Sequence, residues 1–256
     1  MGASNLPYAM KAVILAAGYA TRLYPLTIDT PKCLLSVSGR TILDRLCDKL
    51  NEITSLDQVL VVSNAKFYDR LRQWQQKAAT KAPVSVINDG TRSNDKRLGA
   101  IGDLSLGLKT IGIDDDVLMF ASDNLFEEDL GGFTRFCSEH RQAVCIAVYD
   151  IGDPKLAAGK FGVIETEKDG RVRAIEEKPA QPRSSLIGMG VYYFPKPSLP
   201  LVAEYLAGNE AQDAPGHYIR WLAQKTDIYS YLFKGIWYDI GNLEALNEAQ
   251  KLFSGR

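Results

Sequence analysis

Short, continuously apolar runs alternate with amphipathic segments in the first half of the chain, and this alternation restricts the fold most. The first run, 11–17 (KAVILAA), ends at Gly18. A run of this kind is typical of a strand buried on both faces of a parallel sheet. The other strands predicted in this half are 58–63, 84–89 and 117–122, and the predicted helices are 42–53, 67–78 and 99–111. This order predicts βαβ units, and therefore an α/β fold with a mostly parallel sheet.

The second half of the chain has a pattern richer in strands. A hairpin is predicted at 161–179, because Asp169-Gly170 is a favoured turn pair and both flanks favour strand. Further strands are predicted at 143–150, 186–195 and 228–241, with one helix after Pro197 and a closing helix at 242–253. The pattern shows no repeat and no clear linker, so we expect the two halves to form one domain.

Composition and charge argue against several functions and cellular locations. The formal net charge of −1 gives no sign of nucleic-acid binding. No apolar run is long enough to span a membrane, and the N-terminus does not resemble a signal peptide, so we expect a cytoplasmic protein without a membrane partner. The four cysteines form no CxxC pair and are expected to be reduced: Cys33, Cys47, Cys137 and Cys145.

The segment 15–27, LAAGYATRLYPLT, is predicted to bind phosphate. It follows the first strand, and parallel α/β sheets bind ligands just past the carboxyl ends of their strands. Its amides can cradle phosphate oxygens, while Arg22 and Lys32 add positive charge. Neither GxGxxG nor GxxxxGK[ST] is present. Ala20 stands where a second glycine is usual, and we expect a negative φ there, which an alanine adopts at little cost.

The stretch 15–35, LAAGYATRLYPLTIDTPKCLL, resembles the signature LAAGxGTRLxPLTxxxPKxLL of the sugar-1-phosphate nucleotidyltransferases, including the glucose-1-phosphate thymidylyltransferases. Further segments resemble that family in the same order along nearly the whole chain: ASDNLF (121–126), FGV (161–163), EEKP (176–179), GMGVYYF (188–194) and WYDIGN (237–242). The resemblance implies a Rossmann-like three-layer fold with an inserted β-rich sugar-binding part. It also implies one domain over 10–256, with a nucleotide-binding half at 10–125 and an acceptor-binding half at 126–256; residues 1–9 are then an extension or a cloning remnant.

The resemblance implies a reaction and a role for each matching position. An NTP and a sugar 1-phosphate would be coupled with Mg²⁺ to give an NDP-sugar and pyrophosphate. The implied catalytic cations are Arg22, Lys32 and Lys178, and the implied metal ligands are Asp123 and Asp239. The implied nucleotide-binding residues are Leu15, Ala16, Ala17, Gly18, Tyr19, Ala20, Thr21, Asn88, Leu98 and Gly99. The implied acceptor-binding residues are Asn124, Gly162, Glu177 and Gly190.

Several alternatives stay open at the level of sequence. Relatives of this kind also act on phosphocholine, inositol phosphate or muramic acid phosphate, and some are non-catalytic subunits. A glycosyltransferase is a weaker alternative, because Asp114–Asp116 precedes a strand instead of following one. The polar segment 91–97 lies where the family reads the base and could reach the base, the ribose or a neighbouring chain. The chain has no room for an added β-helix, so we expect a single-function enzyme, and a homo-oligomer is compatible with the sequence.

Overall fold

The computed structural model describes residues 9–208 and 213–254. The strands are β1 Met10–Leu15, β2 Ser36–Val37, β3 Arg40–Thr41, β4 Leu56–Ser63, β5 Val84–Asn88, β6 Asp116–Ala121, β7 Asn124–Phe126, β8 Val144–Asp150, β9 Gly162–Thr166, β10 Val172–Glu177, β11 Leu186–Phe194, β12 Ile228–Leu232 and β13 Trp237–Asp239. The α-helices are α1 Ile42–Leu50, α2 Tyr68–Gln75, α3 Ala100–Ile111, α4 Leu130–Glu139, α5 Pro200–Ala207, α6 Pro215–Leu222 and α7 Leu243–Leu252. Residues 1–8 lie outside the described part, so the proposed extension at 1–9 stays a prediction.

The central sheet has the order β10-β9-β11-β6-β1-β4-β5, and β8 joins it beside β11 and β12. The pairs β1–β4, β1–β6 and β4–β5 are parallel, as the apolar runs of the first half predict, and the pair β8–β12 is parallel as well. The pairs made by β9, β10 and β11 are antiparallel. A separate two-stranded ribbon, β7–β13, joins the middle of the chain to its last strand. The predicted α/β fold with a mostly parallel sheet and an added β-rich part is confirmed.

Helices cover both faces of the sheet, which makes three layers. Alternate residues of β1 point to opposite faces: Ala12 and Ile14 belong to a core with α1, α2 and α4, whereas Val13 belongs to a core with α3, α5 and α6. Each face is therefore covered by apolar residues from helices, which explains why the strands are apolar without alternation. In the described ranges, none of the helices has the length and apolar content that crossing a membrane requires.

The predicted strand at 228–241 is wrong as a single element, because the chain turns in its middle. Gly235 has a φ of +77°, a conformation that glycine adopts readily. The turn separates β12, which pairs with β8, from β13, which pairs with β7. This break carries Asp239 away from the main sheet and places it beside the segment that holds Asp123.

The expectation that Ala20 has a negative φ is also wrong. Ala20 lies in the left-handed region at φ 47° and ψ 42°. Its carbonyl oxygen accepts hydrogen bonds from the backbone N–H of Leu23, at 3.0 Å, and from Oγ1 of the buried Thr27, at 2.8 Å. Its methyl group packs against the core formed with Leu23 and Ile240. These contacts hold the loop in a conformation that costs an alanine on the order of 1 kcal/mol.

We therefore expect Ala20→Gly to stabilise the protein. Relief of the left-handed strain outweighs the lost methyl packing and the added entropy of the unfolded chain, so the gain is about 0.5 to 1 kcal/mol. Ala17→Gly is a matched control, since Ala17 is buried in the same loop and is not among the described residues with positive φ. Thermal melts should show opposite shifts for the two variants, and a destabilised Ala20→Gly variant would contradict this account.

Candidate active site

A cleft of about 520 Å³ opens at the carboxyl ends of β1 and β6. The loop that follows β1 forms one wall, and the start of α3 forms another. Most of the predicted nucleotide-binding positions line this cleft, together with two predicted cations and one predicted metal ligand: Leu15, Ala16, Ala17, Gly18, Tyr19, Ala20, Thr21, Arg22, Lys32, Gly99 and Asp123. The cleft thus brings together residues that are more than 100 positions apart in the sequence.

The charged centre of the cleft is built around two aspartates. Asp123 follows β6, and its Oδ2 accepts a hydrogen bond from Lys32 Nζ at 2.7 Å. Asp239 ends β13, which pairs with β7, and the next residue, Ile240, donates its backbone N–H to the Asp123 carbonyl at 3.0 Å. Burial and the charge of Asp123 raise the pKa of Asp239, while the charges of Lys32, Arg22 and Lys178 oppose this shift. The other four predicted charged groups therefore all act on Asp239.

Asn124 fixes the orientation of Asp123. Its Nδ2 donates to Asp123 Oδ1 at 3.0 Å, and its Oδ1 accepts from Trp237 Nε1 at 2.8 Å. The side chain is buried, and its amide joins Trp237 of β13 to Asp123, the residue just before β7. The structure thus assigns Asn124 a positioning role, in addition to the acceptor contact that the sequence predicts.

The chemistry of the two carboxylates suits a magnesium ion. Mg²⁺ is commonly held by one or two carboxylates, with the remaining positions taken by water and substrate phosphates. Among the described residues, no group of three or more His, Cys, Asp or Glu side chains forms a complete protein cage for a metal. Burial and the neighbouring charge of Asp123 disfavour the ionised form of Asp239. A divalent cation bound between the two carboxylates would offset this cost.

A second cavity, of about 170 Å³, adjoins the cleft and shares Ala121, Tyr192 and Pro215 with it. It is lined by three of the predicted acceptor-binding residues, Gly162, Glu177 and Gly190, and by Lys160, which the sequence did not single out. The Glu177 side chain is only 12% exposed, and it is the carboxylate of this cavity. A nucleotide in the cleft and an acceptor in the cavity would therefore meet near Ala121, two residues before Asp123.

Glu177 lies against the first turn of α6, where only glycine leaves it room. A Cβ added to Gly216 would lie 2.0 Å from Glu177 Oε2 and 3.2 Å from its Cδ. Since real contacts are longer, a methyl group at this position must displace the carboxylate.

Gly216→Ala should therefore raise the KM for the acceptor by about tenfold, because a displaced carboxylate loses its hydrogen bonds to the acceptor. The KM for the nucleotide should change little, since Gly216 does not line the cleft. Arg220→Ala, on the exposed face of the same helix, is the matched control. Equal effects on both substrates would argue against a local displacement of Glu177.

Lys178 follows Glu177 in an unusual backbone conformation. Its φ is +47°, and its backbone N–H donates to the Phe161 carbonyl at 3.1 Å. Its side chain is 54% exposed, and its Nζ lies 3.6 Å from Glu177 Oε1. Strained conformations of this kind are often kept where a side chain must be placed for function. Glu177 thus supplies a carboxylate to the second cavity, and the positive charge of the adjacent Lys178 acts on Asp239.

Two predicted base-reading residues lie outside the lining of the cleft. Asn88 is exposed and uses its Oδ1 to accept the backbone N–H of Gly90 at 2.8 Å. Leu98 is also exposed. The segment 91–97 reaches across the cleft mouth instead, where Arg97 forms a two-pronged ion pair with Asp213 at 2.8 and 2.7 Å.

Asp103 and Cys33 are among the residues that line the cleft without having been predicted. Asp103 lies in the first turn of α3, where a lone acid on an otherwise apolar helix face was the available signal. Cys33 follows Lys32, and burial raises the pKa of its thiol to about 12. The thiol therefore stays neutral near pH 7 and is a poor nucleophile.

Comparison with models of known protein families identifies the family of this chain. The model of the nucleotidyl transferase family matches residues 11–254. The chain belongs to this family. Our nucleotidyl transferase is 28% identical to a glucose-1-phosphate thymidylyltransferase of Streptomyces antibioticus, over 94% of this chain and 65% of the relative. It is 30% identical to the UTP–glucose-1-phosphate uridylyltransferase AglF of Haloferax volcanii, over 72% of each chain.

Solved structures support the same fold. A UDP-glucose pyrophosphorylase complexed with UDP-glucose superposes with a TM-score of 0.82, at 21% identity, and covers 96% of this nucleotidyl transferase and 98% of that chain. The chain spans 54% to 65% of the length of the first curated relatives that it matches. The resemblance read from the sequence motifs is confirmed at the level of the family.

Proposed function

We propose that this protein joins a nucleoside triphosphate to a sugar 1-phosphate, in a reaction that depends on Mg²⁺, to give an NDP-sugar and pyrophosphate. One observation carries the proposal: a phosphate-loop cleft, with Lys32 and Asp123 beside Asp239, adjoins a smaller cavity that holds a largely buried carboxylate, and Ala121 lines both. The family membership and the names of the relatives support the same reaction.

The chain's own residues would bind and orient two anionic substrates. Arg22 and the loop amides would hold the β- and γ-phosphates, and Lys32 would stabilise the charge that grows on the leaving pyrophosphate. Glu177 would accept hydrogen bonds from sugar hydroxyls, and Lys178 would hold the sugar phosphate. Asp123 and Asp239 would hold Mg²⁺, which neutralises phosphate charge when bound.

The reaction then needs no covalent intermediate on the protein. A phosphate oxygen of the acceptor forms a bond to the α-phosphorus, and the bond from that phosphorus to the pyrophosphate oxygen breaks. The attacking phosphate is already ionised near neutral pH, so no general base is required. This agrees with a neutral Cys33 in the cleft wall.

A pyrophosphate-release assay tests the proposal. The common triphosphates are combined with sugar 1-phosphates and, as comparison acceptors, with phosphocholine and inositol phosphate, each with and without Mg²⁺. We expect release of pyrophosphate with a sugar 1-phosphate only when Mg²⁺ is present. Release with a non-sugar phosphate alone, release of a nucleoside diphosphate, or no release at all would each overturn it.

A further inference from the structure

A pair of carboxyl groups at the wall of the cleft, one of them buried, is not used by the proposed reaction. Asp103 lines the cleft from the first turn of α3 and is only 7% exposed. Asp89 follows β5, and its carboxyl group forms a hydrogen bond with that of Asp103. Two carboxyl groups in contact away from bulk water are costly unless a proton lies between them.

Asp89 is held in place by a chain of hydroxyl groups. Thr91 donates its backbone N–H to Asp89 Oδ1 at 2.7 Å and its hydroxyl group to the same carboxylate at 2.8 and 2.9 Å. The hydroxyl of Tyr19, in the phosphate loop, lies 3.2 Å from Thr91 Oγ1 and is left to donate to it. Asp89 is therefore the ionised member of the pair, and it accepts a hydrogen bond from the protonated carboxyl group of Asp103.

The surroundings of Asp103 favour its neutral form. Burial, and then the charge of Asp89, raise the pKa of Asp103 to about 8. No N–H or hydroxyl group of the described residues donates to the buried Asp103 Oδ1, so the bond with Asp89 is what satisfies the buried side of this carboxyl group. The neutral carboxyl group of Asp103 uses its O–H to donate a hydrogen bond to Asp89. Toward the cleft it can therefore only accept hydrogen bonds.

We propose that Asp103 determines nucleotide specificity by accepting a hydrogen bond from an N–H group on the edge of the nucleobase. The inference rests on the proposed function, because phosphates held near Arg22 and Lys32 would leave the base to bind against the start of α3, where Gly99 and Asp103 line the cleft. The neighbouring buried residues of α3, Ile101 and Leu104, belong to the apolar core. A carboxyl group at this one position is explained by a polar ligand in the cleft.

Two substitutions separate this role from a structural one. In Asp103→Asn, the amide NH₂ can donate to Asp89 while the amide oxygen faces the cleft, which reproduces the neutral acid. In Asp103→Ala, the acceptor is lost and space opens beside the base. Thr110→Ala, at the exposed far end of α3, serves as the control.

The test measures nucleotide binding by calorimetry, without an acceptor. UTP, dTTP, CTP, GTP and ATP are compared first, and the tightest binder is then compared with its analogue carrying N-methyl groups in place of the edge N–H. We expect the analogue to bind at least about tenfold more weakly to the wild type, the Thr110→Ala control and Asp103→Asn, because the acceptor is left unpaired. In Asp103→Ala the two ligands should bind within about twofold of each other, since nothing is left to pair with the N–H.

Several results would overturn the inference. Equal binding of both ligands to the wild type would overturn it, and this result can be interpreted without any variant. Asp103→Ala could keep the wild-type ratio, or Asp103→Asn could lose it. Failure of any triphosphate to bind would remove both this inference and the proposed function. Normal, selective binding without pyrophosphate release would remove only the proposed function.

Discussion

Asp239→Asn is expected to lower the rate of pyrophosphate release by about two orders of magnitude or more, because a neutral amide holds a divalent cation poorly beside Asp123. Asp123→Asn should have an effect of similar size, and it also removes the carboxylate that pairs with Lys32 at 2.7 Å. Neither change should unfold the protein. Burial and the charge of Asp123 raise the pKa of Asp239, so its ionised carboxylate destabilises the folded state near pH 7. The asparagine variant should therefore melt at the same temperature as the wild type or higher.

Steady-state rates and thermal melts on the same samples check this expectation. Asp115→Asn is the matched control, since Asp115 pairs with Lys11 next to the opposite end of β6. Its activity should equal that of the wild type. A near-normal Mg²⁺-dependent rate in either cleft variant would show that the residue does not hold the metal, and a large loss of stability would show that its role is structural.

The elements that the sequence predicted best are those whose apolar pattern is local. The runs at 11–17, 58–63, 84–89 and 117–122 became strands within one or two residues, because burial on both faces needs a continuous apolar run. The ends of helices were less certain. The predicted helix at 42–53 ends at Leu50, although Thr41 caps its start as expected, accepting the Asp44 N–H at 3.0 Å.

Helix α4 had no clear signal in the sequence. It begins with Leu130-Gly131-Gly132, and glycine disfavours helices. Asp129 caps it by accepting the N–H groups of both glycines, and Leu130 and Phe133 pack into the core. Tertiary packing therefore stabilises a helix that local propensity does not predict.

The arrangement of the site depends on contacts that no local pattern contains. The motifs indicated Asp123 and Asp239 separately, but the pairing of β7 with β13 is what brings them together. The conformation of Ala20 likewise depends on Thr27, seven residues later. Glu177 was predicted from its motif, whereas the need for glycine at 216 arises only where α6 packs against it.

The division of the cations between the two substrates gives the second large effect. Lys32 lies in the cleft wall with the phosphate loop, whereas Lys178 follows the carboxylate of the second cavity. Lys32→Ala should lower kcat/KM for the triphosphate by about a hundredfold, because the charge that stabilises the leaving pyrophosphate is lost. Lys178→Ala should mainly raise the KM for the acceptor, by about tenfold, since this more exposed cation is partly screened by water.

Kinetics with each substrate varied in turn separate the two effects, and Lys155→Ala on an exposed 3₁₀ helix is the control for loss of a positive charge. The Lys32 variant has a second consequence, since it removes the positive group that pairs with Asp123. Asp123 is then left facing the like charge of Asp239, so the concentration of Mg²⁺ that protects this variant against thermal unfolding should fall relative to the wild type. The Lys178 variant should show a smaller change, because Lys178 acts on Asp239 through its charge but makes no ion pair with Asp123 among the described contacts. If both variants impaired the use of the same substrate alone, the cleft and the second cavity would not be separate binding sites for the two phosphates.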